Sequence, residues 1–166
     1  MVMEHVVDQL ARRAGIDPVD YRRKIYNRTG ASRYLAVLNL ACEKAGWGRP
    51  IEAGWARGVA VCEAFGSAIA QVCEVSIVEG RPRVRRVVCA VDCGVAVAPN
   101  LIAAQIEGGI IYGLSAALYS EVRLKDGVVQ NQNFDSYRIL RMHEAPQIET
   151  HILASANPPS GVGEPG

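Results

Sequence analysis

The stretch RGVAVCEAFGSAIAQVCEVSIVEGRPRVRRVVCAVDC, residues 57–93, decides the fold of this chain. It is rich in Val, Ala and Cys, and it divides into runs at 57–66, 68–79 and 83–93, with a turn at 79–82. Apolar and β-branched runs bounded by Gly and Pro are typical of strands. The stretch therefore predicts a long twisted β-hairpin.

Three helices are predicted before this hairpin. The first covers residues 2–15, the second begins at Asp17-Pro18, and the third runs from an N-cap at Ser32 to Gly46. Asp followed by Pro is a common start of a helix, and Gly a common end. The first helix carries one apolar stripe, formed by Val2, Val6, Leu10 and Ala14.

Mixed elements are predicted after the hairpin. A helix starts at Pro99-Asn100 and ends near Leu118, a short hairpin pairs 120–124 with 128–132, and a last strand covers 146–154. This order predicts an α+β fold: N-terminal helices, a long twisted β-hairpin, and further strands packed on a Gly-rich helix. We expect a helical segment over 1–55 and an α+β domain over 56–166.

The composition is that of an ordinary globular protein, with 49% hydrophobic and 21% charged residues among 166. The net charge of +1 gives no reason to expect a nucleic-acid partner. Five Cys without a C-x-x-C pair do not indicate a zinc site or a disulfide framework. No run of 18 apolar residues occurs, so no membrane span is predicted.

The predicted helix from Asn100 is unusual because it contains Gly108, Gly109 and Gly113. Each costs up to about 1 kcal/mol relative to Ala in a helix. Gln105 lies on the same face as Gly108 and Gly109. That face could admit a bulky polar ligand close to the backbone, or it could pack closely against a sheet with Gln105 at its rim; the pattern leaves both open.

The last residues, SGVGEPG at 160–166, place Glu164 in a turn built from Gly and Pro. Gly163 allows a bulky group to approach the backbone, and Pro165 restricts the chain on the other side. A carboxylate held in this way could act as a general base. An exposed linker-like loop is the alternative.

Two further patterns have structural interpretations. Cys89 and Cys93 are four residues apart on a strand and are predicted to be core thiols, although a redox pair is an alternative. Asp92 is predicted to cap the turn that follows. The four arginines of the return strand predict a solvated face; they are Arg81, Arg83, Arg85 and Arg86.

Four stretches are informative when taken together: VCEAFGSAIAQVCEV (61–75), VVCAVDCGVAVAPN (87–100), AAQIEGGIIYGLSAALY (103–119) and PPSGVGEPG (158–166). They resemble the molybdenum-binding large subunit of the xanthine dehydrogenase/aldehyde oxidase family, in particular the branch of the isoquinoline oxidoreductase β subunit. Residues 8–26 resemble the helical segment that precedes these stretches in the family. The Gln-x-Glu-Gly helix combined with the Gly-x-Gly-Glu loop is specific.

The resemblance implies roles for individual residues. Glu164 matches the catalytic base, and Gln105 matches a glutamine that contacts the molybdenum cofactor, with Gly108, Gly109 and Gly163 beside it. The cofactor is expected to be molybdopterin as a cytosine dinucleotide. The implied reaction hydroxylates an N-heterocycle or oxidises an aldehyde, with water supplying the oxygen, and electrons leave through a partner subunit carrying iron–sulfur clusters.

The resemblance also implies that this chain is a fragment. The upstream glycine-rich segments of the family are not in it, so we expect the remainder of the large subunit as a partner, a small-molecule substrate, and an inactive fragment when alone. The cytoplasm is the expected compartment, with the periplasm as the alternative. Two other functions fit the residues: a non-catalytic α+β interaction domain, and a thiol-based redox protein using Cys89 and Cys93.

Overall fold

The computed structural model of the chain describes residues 2–131, 133 and 135–163. The elements are α1 Val2–Arg13, α2 Pro18–Thr29, α3 Ser32–Ala45, β1 Trp55–Ala64, β2 Ser67–Val78, β3 Arg81–Asp92, α4 Pro99–Leu118, β4 Leu124–Lys125, β5 Val128–Val129, a 3₁₀ turn Met142–Glu144 and β6 Gln147–Ile152. The predicted α+β class is confirmed.

A four-stranded sheet in the order β1-β2-β3-β6 forms the centre of the fold. The first three strands form an antiparallel meander, so β1 extends the predicted hairpin of β2 and β3 by one further strand. The register between β2 and β3 shifts at Glu74/Val75, where a bulge interrupts the pairing. β6 pairs with β3 in parallel, so both strands end at the same edge of the sheet.

Helices cover both faces of this sheet. On one face, Leu38 and Ala41 of α3 pack against Val72 and Val88. On the other face, α4 packs through a stripe of isoleucines against Ile69 and Val91; the stripe consists of Ile102, Ile106 and Ile110. Burying an apolar side chain of this size contributes about 1.5–3 kcal/mol. The isoleucine stripe therefore orients α4 and determines which of its faces points away from the sheet.

The N-terminal helices differ in how they begin. The carboxylate of Asp17 accepts hydrogen bonds from the backbone N–H groups of Val19 and Asp20, so the predicted cap of α2 is confirmed. The prediction that Ser32 caps α3 is wrong. Ala31 occupies the N-cap without a side-chain hydrogen bond, and Ser32 is already the first helical residue.

The apolar stripe predicted on α1 is largely exposed, and the buried residue of this helix is Ala11. Charged contacts hold α1 instead. The guanidinium of Arg22 is fully buried between the carboxylates of Glu4 and Asp8, at 2.9 and 2.7 Å. Glu4 also accepts a hydrogen bond from the backbone N–H of Val61, which ties α1 to the edge strand β1.

The second predicted hairpin is shorter than expected. Its strands β4 and β5 have two residues each, and the turn lies at Asp126-Gly127, both at positive φ. The strand β6 lies within the predicted 146–154. The 3₁₀ turn Met142–Glu144 precedes this strand.

By length and composition, one helix in the described part of the chain could cross a membrane, namely Pro99–Leu118. A core helix of a soluble protein passes the same test. The expected absence of a membrane span therefore stays a prediction.

The four arginines of β3 divide into two groups. Arg85 and Arg86 are half-buried and form ion pairs with Glu74 and Glu149, at 2.9 and 2.7 Å, so the prediction of a solvated face is wrong for them. Arg81 and Arg83 are exposed, as predicted. The difference follows from the pairing of the strand, because only its second half lies between two neighbouring strands that carry carboxylates.

Asp92, at the end of β3, connects the sheet to α3. Its carboxylate is buried and accepts hydrogen bonds from Arg33 Nε at 2.7 Å and from the backbone N–H of Gly94 at 3.1 Å. Burial alone would raise the pKa of Asp92, but the bonds from Arg33 and Gly94 outweigh burial and hold the pKa below its ordinary value of 3.8. The predicted capping role of Asp92 is confirmed by the bond from Gly94, and the ion pair with Arg33 is a further contact that was not predicted.

We expect Arg33→Met to destabilise the fold by about 1–3 kcal/mol at pH 7, because the Asp92 carboxylate would stay buried without its main donor. Since the pKa of Asp92 is lowered in the folded state, its contribution is present above about pH 4 and is lost as the pH falls through that lowered pKa. Denaturant unfolding should therefore show a difference between the two proteins that narrows below about pH 4.

The matched control is Arg23→Met, which removes an exposed ion pair to Asp20. It should cost less than about 1 kcal/mol at pH 7. An equal decrease in the free energy of unfolding of the two variants would contradict a stabilising role of the bond between Arg33 and the buried Asp92 carboxylate.

Candidate functional site

The segment after β6 returns to the turn that ends β3. The backbone N–H of Val95 donates to the carbonyl of Asn157 at 3.0 Å, and the N–H of Ser160 donates to the carbonyl of Cys93 at 2.9 Å. The return is a consequence of the parallel pairing, because β3 and β6 end at the same edge of the sheet. We call residues 157–163 the return loop.

Gly94 makes the closest contact with the return loop. Its φ is +73°, and a Cβ added to it would lie 2.1 Å from the carbonyl oxygen of Pro158 and 2.7 Å from that of Asn157. Any side chain at this position would have to displace backbone atoms, and an L residue would also be strained at this φ. The approach of the loop therefore requires glycine here.

Ser67 supports the return loop from a second side. This residue is fully buried at the start of β2, and its hydroxyl lies 2.6 Å from the carbonyl oxygen of Gly161 and 2.8 Å from the hydroxyl of Ser160. The N–H of Gly161 donates to the carbonyl of Phe65 at 3.2 Å. The loop is thus held by the β1–β2 turn as well as by the end of β3.

The return loop meets the Gly-rich helix at Gln105. A Cβ added to Gly163 would lie 4.0 Å from the side-chain oxygen Oε1 of Gln105. Gln105 is exposed on α4, one residue before the buried Ile106, so its amide points away from the sheet. Of the predicted site residues, Gln105 and Gly163 are therefore brought together, whereas Glu164 lies outside the described residues and its role stays a prediction.

Gly108 lies one helical turn after Gln105 on the exposed side of α4. A Cβ added there, or at Gly113, would meet no atom within 4 Å. Close packing against the sheet, the alternative that the sequence left open, therefore does not explain these two glycines in the described structure. Gly109 is half-exposed between Gly108 and the buried Ile110. The helix offers an amide and bare backbone on one accessible face.

The thiols do not form a competing site. Cys89 and Cys93 are buried in the core between the sheet and α4 and are not joined by a disulfide, as predicted for core thiols. Burial raises the pKa of the Cys89 thiol to about 12 and raises the pKa of Cys93 as well. Such thiols stay protonated at neutral pH and are poor nucleophiles. The described residues also contain no group of three or more His, Cys, Asp or Glu side chains able to hold a metal ion.

Ser67 and Gly94 are the site residues that sequence reasoning missed. Gly94 was visible only as part of a turn, and Ser67 only as a polar residue at the start of an apolar run. Both act through contacts with residues more than 60 positions later in the chain. The spacing of neighbouring residues in the sequence gives no indication of such distant contacts.

Comparison with known proteins identifies relatives over nearly the whole chain. The sequence model of a family described as "Molybdopterin cofactor-binding domain" matches residues 23–146. The chain is 39% identical to isoquinoline 1-oxidoreductase subunit beta of Brevundimonas diminuta, over 98% of this chain and 21% of that protein. It is 28% identical to the membrane-bound aldehyde dehydrogenase [pyrroloquinoline-quinone] of Gluconacetobacter polyoxogenes, over 99% of this chain and 24% of that protein.

The fold is similar to that of solved enzymes. The crystal structure of quinoline 2-oxidoreductase from Pseudomonas putida 86 matches with a TM-score of 0.52 and 26% identity, covering 60% of this chain and 13% of that one. The chain spans about a fifth to a quarter of the length of the two relatives named above.

We expect Gly94→Ala to displace the return loop and to destabilise the chain by about 2–4 kcal/mol, because it adds a backbone clash to the strain of a positive φ. Gly80→Ala is the matched control. Gly80 has φ +75°, and a Cβ there would meet nothing within 4 Å, so only the strain of about 1–2 kcal/mol applies. Denaturant unfolding measures the free energy of unfolding of both variants. An equal decrease in the two variants would show that the return loop does not contact Gly94 closely.

Proposed function

This chain belongs to the molybdopterin cofactor-binding domain family, and from that membership we propose that it is part of a molybdenum hydroxylase that hydroxylates an N-heterocycle or oxidises an aldehyde with water as the source of oxygen. Membership agrees with the resemblance found in the sequence. The observation that carries the proposal is the approach of the return loop to the glycine-lined face of α4, where Gly163 lies against Gln105.

The described residues fit a bulky polar cofactor at this face. Gln105 is exposed and offers one N–H₂ donor group and one carbonyl acceptor. The space beside Gly108 is open, so a flat ligand could lie close to the helix backbone. When bound, the molybdenum cofactor would supply the oxygen-transfer and electron-accepting chemistry that protein side chains lack.

The proposed role of Gln105 is to orient the cofactor by hydrogen bonds from a fixed position on the helix. That position is fixed because Ile102 and Ile106 anchor the same turn of α4 in the core. The bare backbone at Gly108 and Gly109 would allow van der Waals contact with the ligand. These residues therefore bind and orient, and they do not take part in proton transfer.

The proposed role of Glu164 is that of general base. It follows Gly163 directly in the sequence, and Gly163 is the last described residue of a loop that Ser67 and Gly94 hold in place. A general base must lie within hydrogen-bond distance of the proton that it accepts. A loop held in a fixed position would keep the carboxylate at that distance. One positioned base contributes about 10²–10⁴ in rate.

The names of the relatives support the two substrate classes. Isoquinoline is an N-heterocycle, and the second relative is named for an aldehyde. We propose further that the cofactor is the cytosine dinucleotide form and that electrons pass to a partner subunit with iron–sulfur clusters, because the five cysteines of this chain lack the spacing of a cluster motif. The cytoplasm remains the expected compartment.

In the full gene product that contains this chain, we expect Glu164→Gln to lower the turnover of isoquinoline or of an aldehyde by about 10²–10⁴ while leaving the molybdenum content unchanged. Turnover in ¹⁸O-labelled water should place the label in the product of the unaltered enzyme. A purified gene product without molybdenum would contradict the proposed function and favour an interaction domain. Loss of the metal in the variant would make Glu164 structural.

Gly108→Leu should lower the molybdenum content at least tenfold, because a side chain would occupy the space beside Gln105. The matched control is Gly113→Leu, about 12 Å from Gln105 along the same helix. Both variants replace a glycine whose Cβ would meet nothing within 4 Å, so neither is expected to unfold the helix. Equal molybdenum content in the two variants, measured by metal analysis, would contradict a cofactor on this face.

A further inference from the structure

A second cavity lies at the other end of α4. This cleft has a volume of about 560 Å³ and is formed by the start of β3, the last two turns of α4 and the segment 138–146. Leu114, which lines it, follows Gln105 by nine residues, so the two side chains are about 13 Å apart along the axis and on opposite sides of the helix. The cleft is therefore separate from the glycine-lined face.

Two arginines that have no ion-pair partner among the described residues line this cleft. Arg81 and Arg83 precede Arg86, at which the described pairing with β6 begins, and both line the cleft from this end of β3. Within residues 2–131, 133 and 135–163 neither has a carboxylate within salt-bridge distance, in contrast to Arg85 and Arg86 on the same strand. Two carboxylates also line the cleft: Glu79 reduces its positive charge by one unit, and Glu144 pairs with Arg138.

A third cation is held in place on the opposite wall. The guanidinium of Arg138 lies 4.0 Å from the ring centroid of Tyr119 and donates a hydrogen bond to Glu144. The same carboxylate accepts hydrogen bonds from the hydroxyl of Tyr119 and the backbone N–H of Arg141, at 2.8 and 2.9 Å. Glu144 thus balances the charge of Arg138 and fixes its direction, so that Arg81, Arg83 and Glu79 leave the cleft with a net charge of +1.

Apart from His143, the remaining side chains of the lining are largely apolar. Val84 and Leu114 line the cleft from β3 and α4, and the buried Leu140 also lines it. Cavities of roughly 300–1,000 Å³ with apolar walls and a few polar groups are typical of small-molecule sites. Arginine pairs with carboxylates through two parallel hydrogen bonds. The size, charge and lining together indicate a ligand with an anionic head and an apolar body.

We propose that this cleft binds a small organic carboxylate, with the carboxylate on Arg81 and Arg83 and the apolar body against Val84 and Leu114. The proposal does not depend on the molybdenum cofactor or on the reaction proposed above. It treats the two arginines as binding residues, and Arg138 with Glu144 as the pair that shapes the opposite wall.

Calorimetric titration of the full gene product with benzoate tests the proposal. We expect saturable binding, and benzamide, which has the same size without the charge, should bind at least tenfold more weakly. The double variant Arg81→Gln/Arg83→Gln should lower the affinity for benzoate at least tenfold. The control Arg12→Gln/Arg13→Gln removes two exposed arginines of α1 and should leave the affinity within twofold.

Three results would overturn the proposal. Absence of saturable benzoate binding to the unaltered protein would do so, and this result is expected if another protein segment fills the cleft. Equal affinity for benzoate and benzamide would remove the role of charge. Unchanged affinity in the Arg81/Arg83 variant, with its circular dichroism spectrum intact, would place the bound benzoate elsewhere.

Discussion

The contact between the return loop and the Cys93-Gly94 turn is the constraint on which this end of the molecule depends. Because β6 pairs with β3 in parallel, the C-terminal ends of both strands lie at the same end of the sheet. Gly94 then allows the backbone after β3 to contact the backbone of the return loop. The same turn leads into α4, which begins at Pro99, so Gln105 in the second turn of that helix lies close to the loop. One backbone approach therefore places the helix and the loop side by side.

Local signals predicted most of the elements. The apolar runs of 57–93 predicted the three strands, Asp17 predicted the start of α2, and the glycines of α4 left an accessible face as one of two interpretations. Each of these features depends on residues within one or two turns of each other, which is the range over which hydrophobic periodicity and capping act. The antiparallel pairing of β2 with β3 was predictable for the same reason, since the turn between them is short.

Contacts between distant residues could not be predicted in this way. Arg33 and Asp92 are 59 positions apart, and Arg22 and Glu4 meet only because α1 folds across α2. Buried ion pairs of this kind also explain the error on α1, whose apolar stripe is exposed while its acidic side is the one that is held. Ser32 was misassigned because its neighbour Ala31 takes the cap position without any side-chain bond.

The helix α4 tolerates its glycines because the opposite side of the helix is buried against the sheet. Three glycines cost up to about 3 kcal/mol relative to alanine, whereas burial of Ile102, Ile106 and Ile110 contributes about 1.5–3 kcal/mol each. The isoleucine stripe thus stabilises a helix whose other side lacks side chains. This separation leaves the Gln105 face open to a large ligand and still allows Leu114, on the opposite side near the end of the helix, to form the wall of a different cavity.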